Sequence, residues 1–493
     1  MSFTRRFYAA LIAALFLLGV VSAQAQTPGA AGIGDPYFPN LGNSGYDVQH
    51  YAIDFALDDD LAHFTATTTI DARATQDLSA FNLDFQAGQV DQITVDNASA
   101  AFTLEGSELT ITPATPLNDG DAFTVLVSYQ GSPESRDLPE SFAALGWMPL
   151  TNGVAVLGEP AGSSDWYPVN EHPADKATYT VQISVAKPLV AVSNGVLESI
   201  IDAPDDPDRQ IYTWHMDQPM TSYLALLVVG DFARQDDKSP GGVPIRNYFP
   251  SRYADEGAEA FAAQGEMIDF FSSIFGDFPF DAYGALVLDT RVGFSLETQS
   301  MTVFDPGVMN ASLQGSAARG EGTIAHELAH QWFGDSVSPK SWRDIWLNEG
   351  FATYASWLWF EHTSGRQVID TIANGLHDAL HGDNLRDQGM SEATIRQRLA
   401  QVAITGDPTA PKLFDTEGVY YRGALTLHAL RLTVGDKAFF DIMSTYYDTY
   451  KYANASTDDF IAVAAAVSGQ PLNDFFQSWL YESAIPDFPS AAT

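Results

Sequence analysis

The stretch TIAHELAHQW at residues 323–332 decides both the fold class and the chemistry that this chain can host. His326 and His330 are four residues apart, so on a helix their imidazoles lie on one face, one turn apart. Two ring nitrogens at that spacing can hold one zinc ion. Glu327 lies about 100° round the helix from His326, where it can accept a proton from zinc-activated water without ligating the metal. The sequence therefore predicts a helix over residues 315–333 that carries a zinc site and its general base.

A second stretch, WLNEGFATY at residues 346–354, offers the third zinc ligand. Catalytic zinc sites keep three protein ligands and one open position. Glu349 stands early on a helix predicted over residues 344–361, and the loop before that helix contains Gly334 and Pro339. Such a loop lets the second helix pack antiparallel to the first. Taken alone, Glu349 also fits an exposed helix acid, but its place after the histidine pair favours the ligand.

Composition excludes several other classes of function. The 493 residues suffice for two or three domains, and 45% of them are apolar, which rules out a disordered chain. Asp and Glu number 63 against 24 Lys and Arg, a formal charge of -39 that repels nucleic acid and anionic lipid. The absence of cysteine removes disulfides, thiolate zinc sites and cysteine nucleophiles.

The first 25 residues have the pattern of a secretory signal peptide. Arg5 and Arg6 precede an apolar run over residues 9–21, and Ala23-Gln24-Ala25 supplies small residues for cleavage. The run is too short to span a bilayer comfortably. We therefore expect export to the periplasm or the medium, with no stable insertion in the membrane.

Hydrophobic patterning divides the mature chain into two domains and predicts a multidomain α+β fold. Residues 26–45 read as an extended N-terminal segment, and residues 46–236 carry short alternating runs typical of an antiparallel β-sandwich-like domain. A polar cluster at residues 236–242 marks the boundary. In residues 237–493 the apolar residues instead recur with the period of an α-helix. Besides the two site helices, the predicted elements are a strand at 285–288 and helices at 258–275, 368–381, 391–404, 418–433 and 437–447.

The two quoted motifs give the chain a recognisable likeness. HELAHQWFG at 326–334 with WLNEGFA at 346–352 resembles the gluzincin aminopeptidases of peptidase family M1, the group of aminopeptidase N and leukotriene hydrolase. The likeness extends to WYP at 166–168, DKATY at 175–179 and YYRGA at 420–424. It implies a thermolysin-like catalytic domain with one zinc per chain. Larger relatives in this family continue into a helical C-terminal domain, so the short stretch after Glu349 suggests a short form with a more open cleft.

The resemblance also assigns a transition-state residue. The family has a tyrosine in a Tyr-x-Lys-Gly context that stabilises the tetrahedral intermediate, and Tyr420 occupies that place with Arg422 instead of Lys. A phenol beside the metal can donate to the developing oxyanion. Tyr421 is the competing candidate, with packing as its alternative role.

Two further carboxylates are implied to bind the substrate's amino terminus. The family's Gly-x-Met-Glu-Asn segment corresponds to GFSLETQS at 293–300, which aligns Glu297 but replaces Gly, Met and Asn by Phe294, Leu296 and Thr298. Glu159 stands nine residues before Pro168, where many relatives have Gln. A structural acid remains the alternative for Glu297.

The expected function is a zinc-dependent aminopeptidase, with peptides that have a free N-terminus as its partners. The alternatives are a zinc endopeptidase on the same core and a non-catalytic peptide-binding relative. A second histidine pair in HDALH at 377–381 lacks Glu in the second position, so a polar helix face is favoured there over a metal site.

Overall fold

The computed structural model describes residues 26–132, 145–313 and 317–489. The predicted signal peptide at residues 1–25 lies outside the described residues. Among the described helices, none combines the length and the apolar character needed to cross a membrane.

Strands dominate the N-terminal half because apolar residues alternate with polar ones along it. In the strand over Tyr46–Leu57, for example, Val48, Ile53 and Phe55 are buried while Asp47 and Asp54 are exposed. The strands are β1 (Thr27–Pro28), β2 (Tyr46–Leu57), β3 (Phe64–Ala74), β4 (Leu78–Asp84), β5 (Gly88–Val95), β6 (Ala98–Ser99), β7 (Ala101–Glu105), β8 (Glu108–Thr112), β9 (Ala122–Gly131), β10 (Gly146–Leu150), β11 (Gly153–Leu157), β12 (Lys176–Ala186), β13 (Val190–Val192), β14 (Val196–Ala203), β15 (Asp206–Thr221), β16 (Leu227–Gly230), β17 (Phe232–Lys238) and β18 (Pro244–Pro250).

Three sheets pack into the predicted sandwich-like β domain. Among the described strands, the large sheet has the order β14-β15-β12-β2-β3-β9-β5-β6, and the smaller ones are β1-β4-β8-β7 and β10-β11-β16-β13. Phe64 of the large sheet stacks on Trp147 at 5.8 Å between ring centroids, and Phe123 meets Phe81 at 5.3 Å. Two pairings among the described strands of this domain differ from the antiparallel expectation, since β12 runs parallel to β2 and the short β1 runs parallel to β4.

The polar cluster at 236–242 covers the end of β17 and the turn before β18. This hairpin continues into β19 (Ala285–Val287) and β20 (Thr302–Phe304) as one sheet. A division of the chain between residues 236 and 237 stays a prediction.

Helices fill the C-terminal half, as the change of period predicts. They are α1 (Ala254–Ala260), α2 (Gln264–Phe275), α3 (Gly307–Leu313), α4 (Ala317–Ala329), α5 (Trp346–Ser364), α6 (Arg366–His381), α7 (Asp383–Asp387), α8 (Glu392–Leu399), α9 (Arg422–Val434), α10 (Asp436–Tyr450), α11 (Thr457–Ser468) and α12 (Asn473–Phe476). Two short strands, β21 (Val337–Pro339) and β22 (Ala453–Ala455), pair in parallel.

Helix limits differ from the predictions where tertiary contacts decide them. The helix predicted over 258–275 is broken at residues 261–263, where Phe261 packs between Phe249 and Phe304. The helix predicted over 315–333 ends at Ala329, and the one over 391–404 ends at Leu399.

Buried polar contacts join the β-rich half to the helical half. Lys176, at the start of β12, donates through Nζ to the carbonyl oxygens of Asp335 and Ser336, at 2.8 and 2.9 Å. From the N-terminal segment, Asp35 accepts hydrogen bonds from His172 and from Ser341. These contacts hold the loop between α4 and α5 against the β domain.

Candidate active site

Helices α4 and α5 bring together the three predicted zinc ligands. The Nε2 atoms of His326 and His330 lie 3.1 Å apart. Glu349 Oε2 is 3.2 Å from the first nitrogen and 3.5 Å from the second. His330 lies one residue beyond the end of α4, but its N–H still donates to the His326 carbonyl, so the helical spacing of the two rings is kept.

The turn after α4 orients the histidine rings. His330 Nδ1 lies 3.1 Å from the Phe333 carbonyl oxygen, so it donates there and leaves the Nε2 lone pair free to ligate. His326 Nδ1 is 3.4 Å from Thr353 Oγ1, on α5. Gly334 has φ +133°, and a Cβ there would lie 3.1 Å from His330 Nδ1, so the turn requires glycine.

The donor set fits zinc. Two imidazole nitrogens and one carboxylate form a ligand set of the catalytic zinc type. Glu349 is 3% exposed, and its Oε2 atom faces the two imidazole nitrogens without a hydrogen bond to either. A buried carboxylate oxygen in that state requires a cation. His326, His330 and Glu349 would hold the ion.

Glu327 lies beside the predicted metal ligand His330 and close to Glu297. Single ligand atoms of Glu297, Glu327 and His330 lie within 4.8 Å of one another. Burial raises the pKa of the Glu327 carboxyl well above its ordinary value, although His330 opposes that shift. This is the environment of a carboxylate that can take up and release a proton.

Tyr420, rather than Tyr421, stacks on a histidine of the site. Its ring lies 5.9 Å from the His326 ring, with 10° between the two planes. A π-helical turn over Thr416–Tyr421 leads into α9 and carries the residue there. Burial raises the pKa of the Tyr420 phenol well above its ordinary value, and nearby carboxylates, Glu349 first, raise it further. The phenol therefore keeps its proton and can donate it in a hydrogen bond.

The carboxylates of Glu159 and Glu297, which the resemblance assigns to substrate binding, lie close to each other and to Glu349. One ligand atom each of Glu159, Glu297 and Glu349 lies within 4.8 Å of the others. The Oε1 atoms of Glu159 and Glu297 are buried and have no hydrogen-bond partner. Burial raises the pKa of Glu159, and the charges of Glu297 and Glu349 raise it further. The unpaired oxygen atoms of Glu159 and Glu297 can therefore bind a positively charged group.

Sequence reasoning missed the residues that hold the Glu297 loop. Gln331 donates through Nε2 to the Glu297 carbonyl oxygen at 3.1 Å, and its Oε1 accepts from the Ser300 N–H at 2.7 Å. Asn194, in the β domain, donates to the Gln299 carbonyl oxygen at 2.8 Å. The available signal was the position of Gln331 directly after His330.

The second histidine pair serves packing. His377 Nε2 lies 2.9 Å from the Pro486 carbonyl oxygen, and its ring contacts Phe488. His381 Nδ1 lies 3.1 Å from Asp383. The expected polar face is therefore partly wrong, because His377 is 8% exposed beneath the C-terminal segment.

Two protein-family models match the chain, one in each half. The Peptidase M1 N-terminal domain matches residues 47–224, and the Peptidase family M1 domain matches residues 259–479. The chain belongs to peptidase family M1. Both histidines and Glu349 lie inside the second match.

Relatives in family M1 include Aminopeptidase M1 of Arabidopsis thaliana, 29% identical over 68% of this chain and 37% of that protein. The chain spans about half or less of the length of the curated relatives it matches. An M1 zinc metallopeptidase mutant from Deinococcus radiodurans, solved with a Tyr-Ser-Ala substrate, superposes with TM-score 0.80 at 27% identity over 93% of this chain and 99% of that one. A two domain M1 zinc metallopeptidase mutant bound to L-arginine gives TM-score 0.79 at 27% identity over 94% and 100%.

Proposed function

We propose that this chain is a zinc-dependent aminopeptidase that hydrolyses the first peptide bond of peptides with a free N-terminus. One observation carries the proposal: the zinc-type ligand set lies in the same cluster as two further carboxylates with unpaired oxygen atoms. Glu349 belongs to the ligand set and also lies beside Glu159 and Glu297, the two further carboxylates. The names of the family M1 relatives support the same activity.

The metal part of the mechanism uses His326, His330 and Glu349 as ligands. When bound, zinc supplies Lewis acidity that polarises the scissile carbonyl group and acidifies water. The chain's own contribution is to fix the two Nε2 atoms and Glu349 Oε2 in one place, with the rings oriented by the Phe333 carbonyl and Thr353.

Proton transfer falls to Glu327. Its carboxylate takes the proton of the attacking water and then gives it to the nitrogen of the leaving group. The phenol of Tyr420 donates a hydrogen bond to the oxygen on which negative charge develops. Glu327 lies on α4 and Tyr420 on the π-helical turn, so regular backbone structure positions both groups beside the predicted metal ligands.

Glu297 and Glu159 set the register of cleavage. A buried carboxylate pair binds an ammonium group strongly because the charges are desolvated and otherwise unpaired. With the ammonium held there and the metal ligands in the same cluster, the first peptide carbonyl is the one that the water deprotonated by Glu327 can attack.

A panel of fluorogenic aminoacyl amides, each with a free or an acetylated N-terminus, tests the proposal. We expect turnover of the free amides only, and its loss after treatment with a metal chelator and return with zinc. Equal turnover of blocked and free substrates would instead support a zinc endopeptidase, and the absence of all turnover by zinc-loaded protein would support a binding protein.

We also propose that the protein is exported by its N-terminal 25 residues, with the mature chain in the periplasm or the medium. The charged start, apolar run and small residues before position 26 support this. Mass spectrometry of protein from its own cells should give an N-terminus near residue 26, whereas retention of Met1 would contradict export by cleavage.

A further inference from the structure

The β-rich half fixes the turn that follows His330 through a side chain that the proposed mechanism does not use. Lys176, the first residue of β12, donates through Nζ to the carbonyl oxygens of Asp335 at 2.8 Å and Ser336 at 2.9 Å. Asp335 and Ser336 are both fully buried. Because the two carbonyl groups converge on one nitrogen, any displacement of the turn from β12 would break buried hydrogen bonds.

The same turn is bonded on its other side to a predicted zinc ligand. The Asp335 N–H donates to the His330 carbonyl oxygen at 3.0 Å. His330 Nδ1 donates in turn to the Phe333 carbonyl oxygen at 3.1 Å, which sets the orientation of the ring. Asp335 therefore connects Lys176 to His330 through its own main chain. A shift of the turn would move His330 Nε2 relative to the other two predicted ligands.

A second contact from the β-rich half reaches the segment that carries Glu349. Asn348, which directly precedes Glu349 at the start of α5, is fully buried and donates through Nδ2 to the phenol oxygen of Tyr223 at 3.2 Å. Tyr223 is itself buried, in a single 3₁₀ turn over Ser222–Leu224 that follows β15. The β-rich half thus contacts the chain beside two of the three predicted ligands.

Such contacts bear on how firmly a metal is held. Zinc leaves a three-ligand site only when its ligands move apart, so groups that fix the ligand-bearing segments slow that movement. Lys176 and Tyr223 bind these segments from outside the helical half, so they restrain motions that the helices α4 and α5 alone would permit.

We propose that Lys176 and Tyr223 are positioning residues through which the β-rich half keeps two predicted zinc ligands in place and slows the release of zinc. This role deepens the proposed function and rests on it, since it concerns the metal that the reaction would use. Lys176 acts through the turn after His330, and Tyr223 acts through the residue before Glu349.

The rate of zinc release tests the role of Lys176. Zinc-loaded protein is mixed with an excess of a chelating dye whose absorbance reports the released metal. Lys176→Met keeps an unbranched side chain but lacks Nζ, and we expect it to release zinc about tenfold faster than the wild type. Lys187→Met is the matched control. Lys187 directly follows the other end of β12, and its Nζ also donates to a carbonyl oxygen, that of Pro207, at 2.7 Å. It should release zinc at the wild-type rate.

Tyr223→Phe tests the second contact with a smaller change, because it removes only the hydroxyl that accepts from Asn348. We expect zinc release about threefold faster than in the wild type. Tyr212→Phe is its control: Tyr212 is also buried in the β-rich half, and its hydroxyl donates to the Leu189 carbonyl oxygen at 3.3 Å. The Tyr223→Phe result also stands if Lys176→Met fails to fold.

Urea unfolding distinguishes positioning from general stabilisation. A merely structural role would lower the free energy of unfolding and leave zinc release from the folded protein unchanged. Wild-type release rates in both Lys176→Met and Tyr223→Phe would overturn the proposal, as would equal acceleration in the two controls. The dye assay needs no turnover, so a failed aminopeptidase assay leaves its result standing. Conversely, unchanged zinc release in the variants leaves the proposed peptidase activity intact.

Discussion

Glu327 directly follows His326, a predicted zinc ligand, yet its position in the cluster suits proton transfer. Glutamine keeps its volume but cannot accept the proton of the attacking water. We expect Glu327→Gln to lower kcat by about 10²–10⁴-fold, with zinc content by atomic absorption unchanged. Glu321→Gln, on the same helix and outside the cluster, should keep both activity and zinc. Zinc loss in Glu327→Gln would show a ligand instead of a base.

Tyr420 and Tyr421 are adjacent, so the pair offers its own control. Because only the first ring is stacked on His326 in the structure described, Tyr420→Phe should remove the hydrogen bond to the developing charge. We expect kcat to fall by about 10²-fold with KM nearly unchanged. Tyr421→Phe should retain activity, and the reverse result in steady-state kinetics would shift the assignment by one residue.

Gln331 is a positioning residue: it holds the loop that carries Glu297, the predicted substrate-binding carboxylate. Gln331→Ala removes the hydrogen bonds to the Glu297 carbonyl and from the Ser300 N–H. Losing such buried bonds costs about 1–3 kcal/mol, so we expect KM for free aminoacyl amides to rise about tenfold. Zinc content should stay constant, and Gln367→Ala on α6 serves as the control. An unchanged KM would mean that the loop holds Glu297 without Gln331.

At the residue scale, the sequence could predict the groups whose spacing along one helix encodes their proximity. His326, His330 and Glu327 are of this kind. Gln331, Asn194 and Thr353 could not be found in the same way, because their partners lie on a distant loop or on another helix and meet them only in the folded chain. Their assigned roles rest on those tertiary contacts.

At the scale of elements, periodicity predicted which segments are helices but not where each one ends. The break at residues 261–263 depends on Phe261 reaching Phe304, a contact with a residue far along the chain. The π-helical turn over Thr416–Tyr421 has no sequence signature of its own, since the pattern there reads as the start of α9. That turn fixes Tyr420.

Arg422, the first residue of α9, anchors that turn to the C-terminal part of the chain. Its guanidinium donates to the carbonyl oxygens of Trp479 at 2.8 Å and Ser478 at 3.2 Å, and also to that of Glu482. A lysine ammonium lacks the planar fork that spans these acceptors. We expect Arg422→Lys to lower the free energy of unfolding by about 2 kcal/mol.

Because Arg422 lies two residues after Tyr420, the same substitution should also lower kcat, by about tenfold, with KM unchanged. Urea unfolding and steady-state kinetics measure the two effects. Arg396→Lys, at an exposed position on α8, should change neither. A loss of stability with unchanged kcat would show that Arg422 stabilises the fold but does not position Tyr420.

At the scale of the whole molecule, the site is built by both halves. Glu159 and Asn194 come from the β-rich half, while the predicted zinc ligands lie on α4, directly after its end and on α5. The loop between these helices is held by Lys176 and Asp35. Composition and period predicted this two-part α+β organisation, since each half has its own pattern. The contacts between the halves could not be predicted, because they join residues as distant as Asp35 and Ser341.

Asp35 offers a test of that junction through pH. Its Oδ2 accepts from His172 at 3.2 Å, Ser341 at 2.8 Å and the Trp342 N–H at 3.1 Å, and its Oδ1 accepts from the Tyr37 and Phe38 N–H groups. Burial alone would raise the pKa of Asp35, but these hydrogen bonds outweigh it and hold the pKa below its ordinary value. The carboxylate therefore stabilises the fold above a pH of about 4. This stabilisation is lost as the pH falls through the lower value of the folded state.

We expect Asp35→Asn to lower the free energy of unfolding by about 3 kcal/mol at neutral pH, because a buried carboxylate with several donors is replaced by an amide. The difference from the wild type should shrink as the pH is lowered below about 4. Urea unfolding at a series of pH values measures it. Asp119→Asn, at an exposed turn, should match the wild type throughout. If the difference in free energy of unfolding stayed constant down to the lowest pH measured, the stabilisation would come from the side-chain shape of Asp35 and not from its charge.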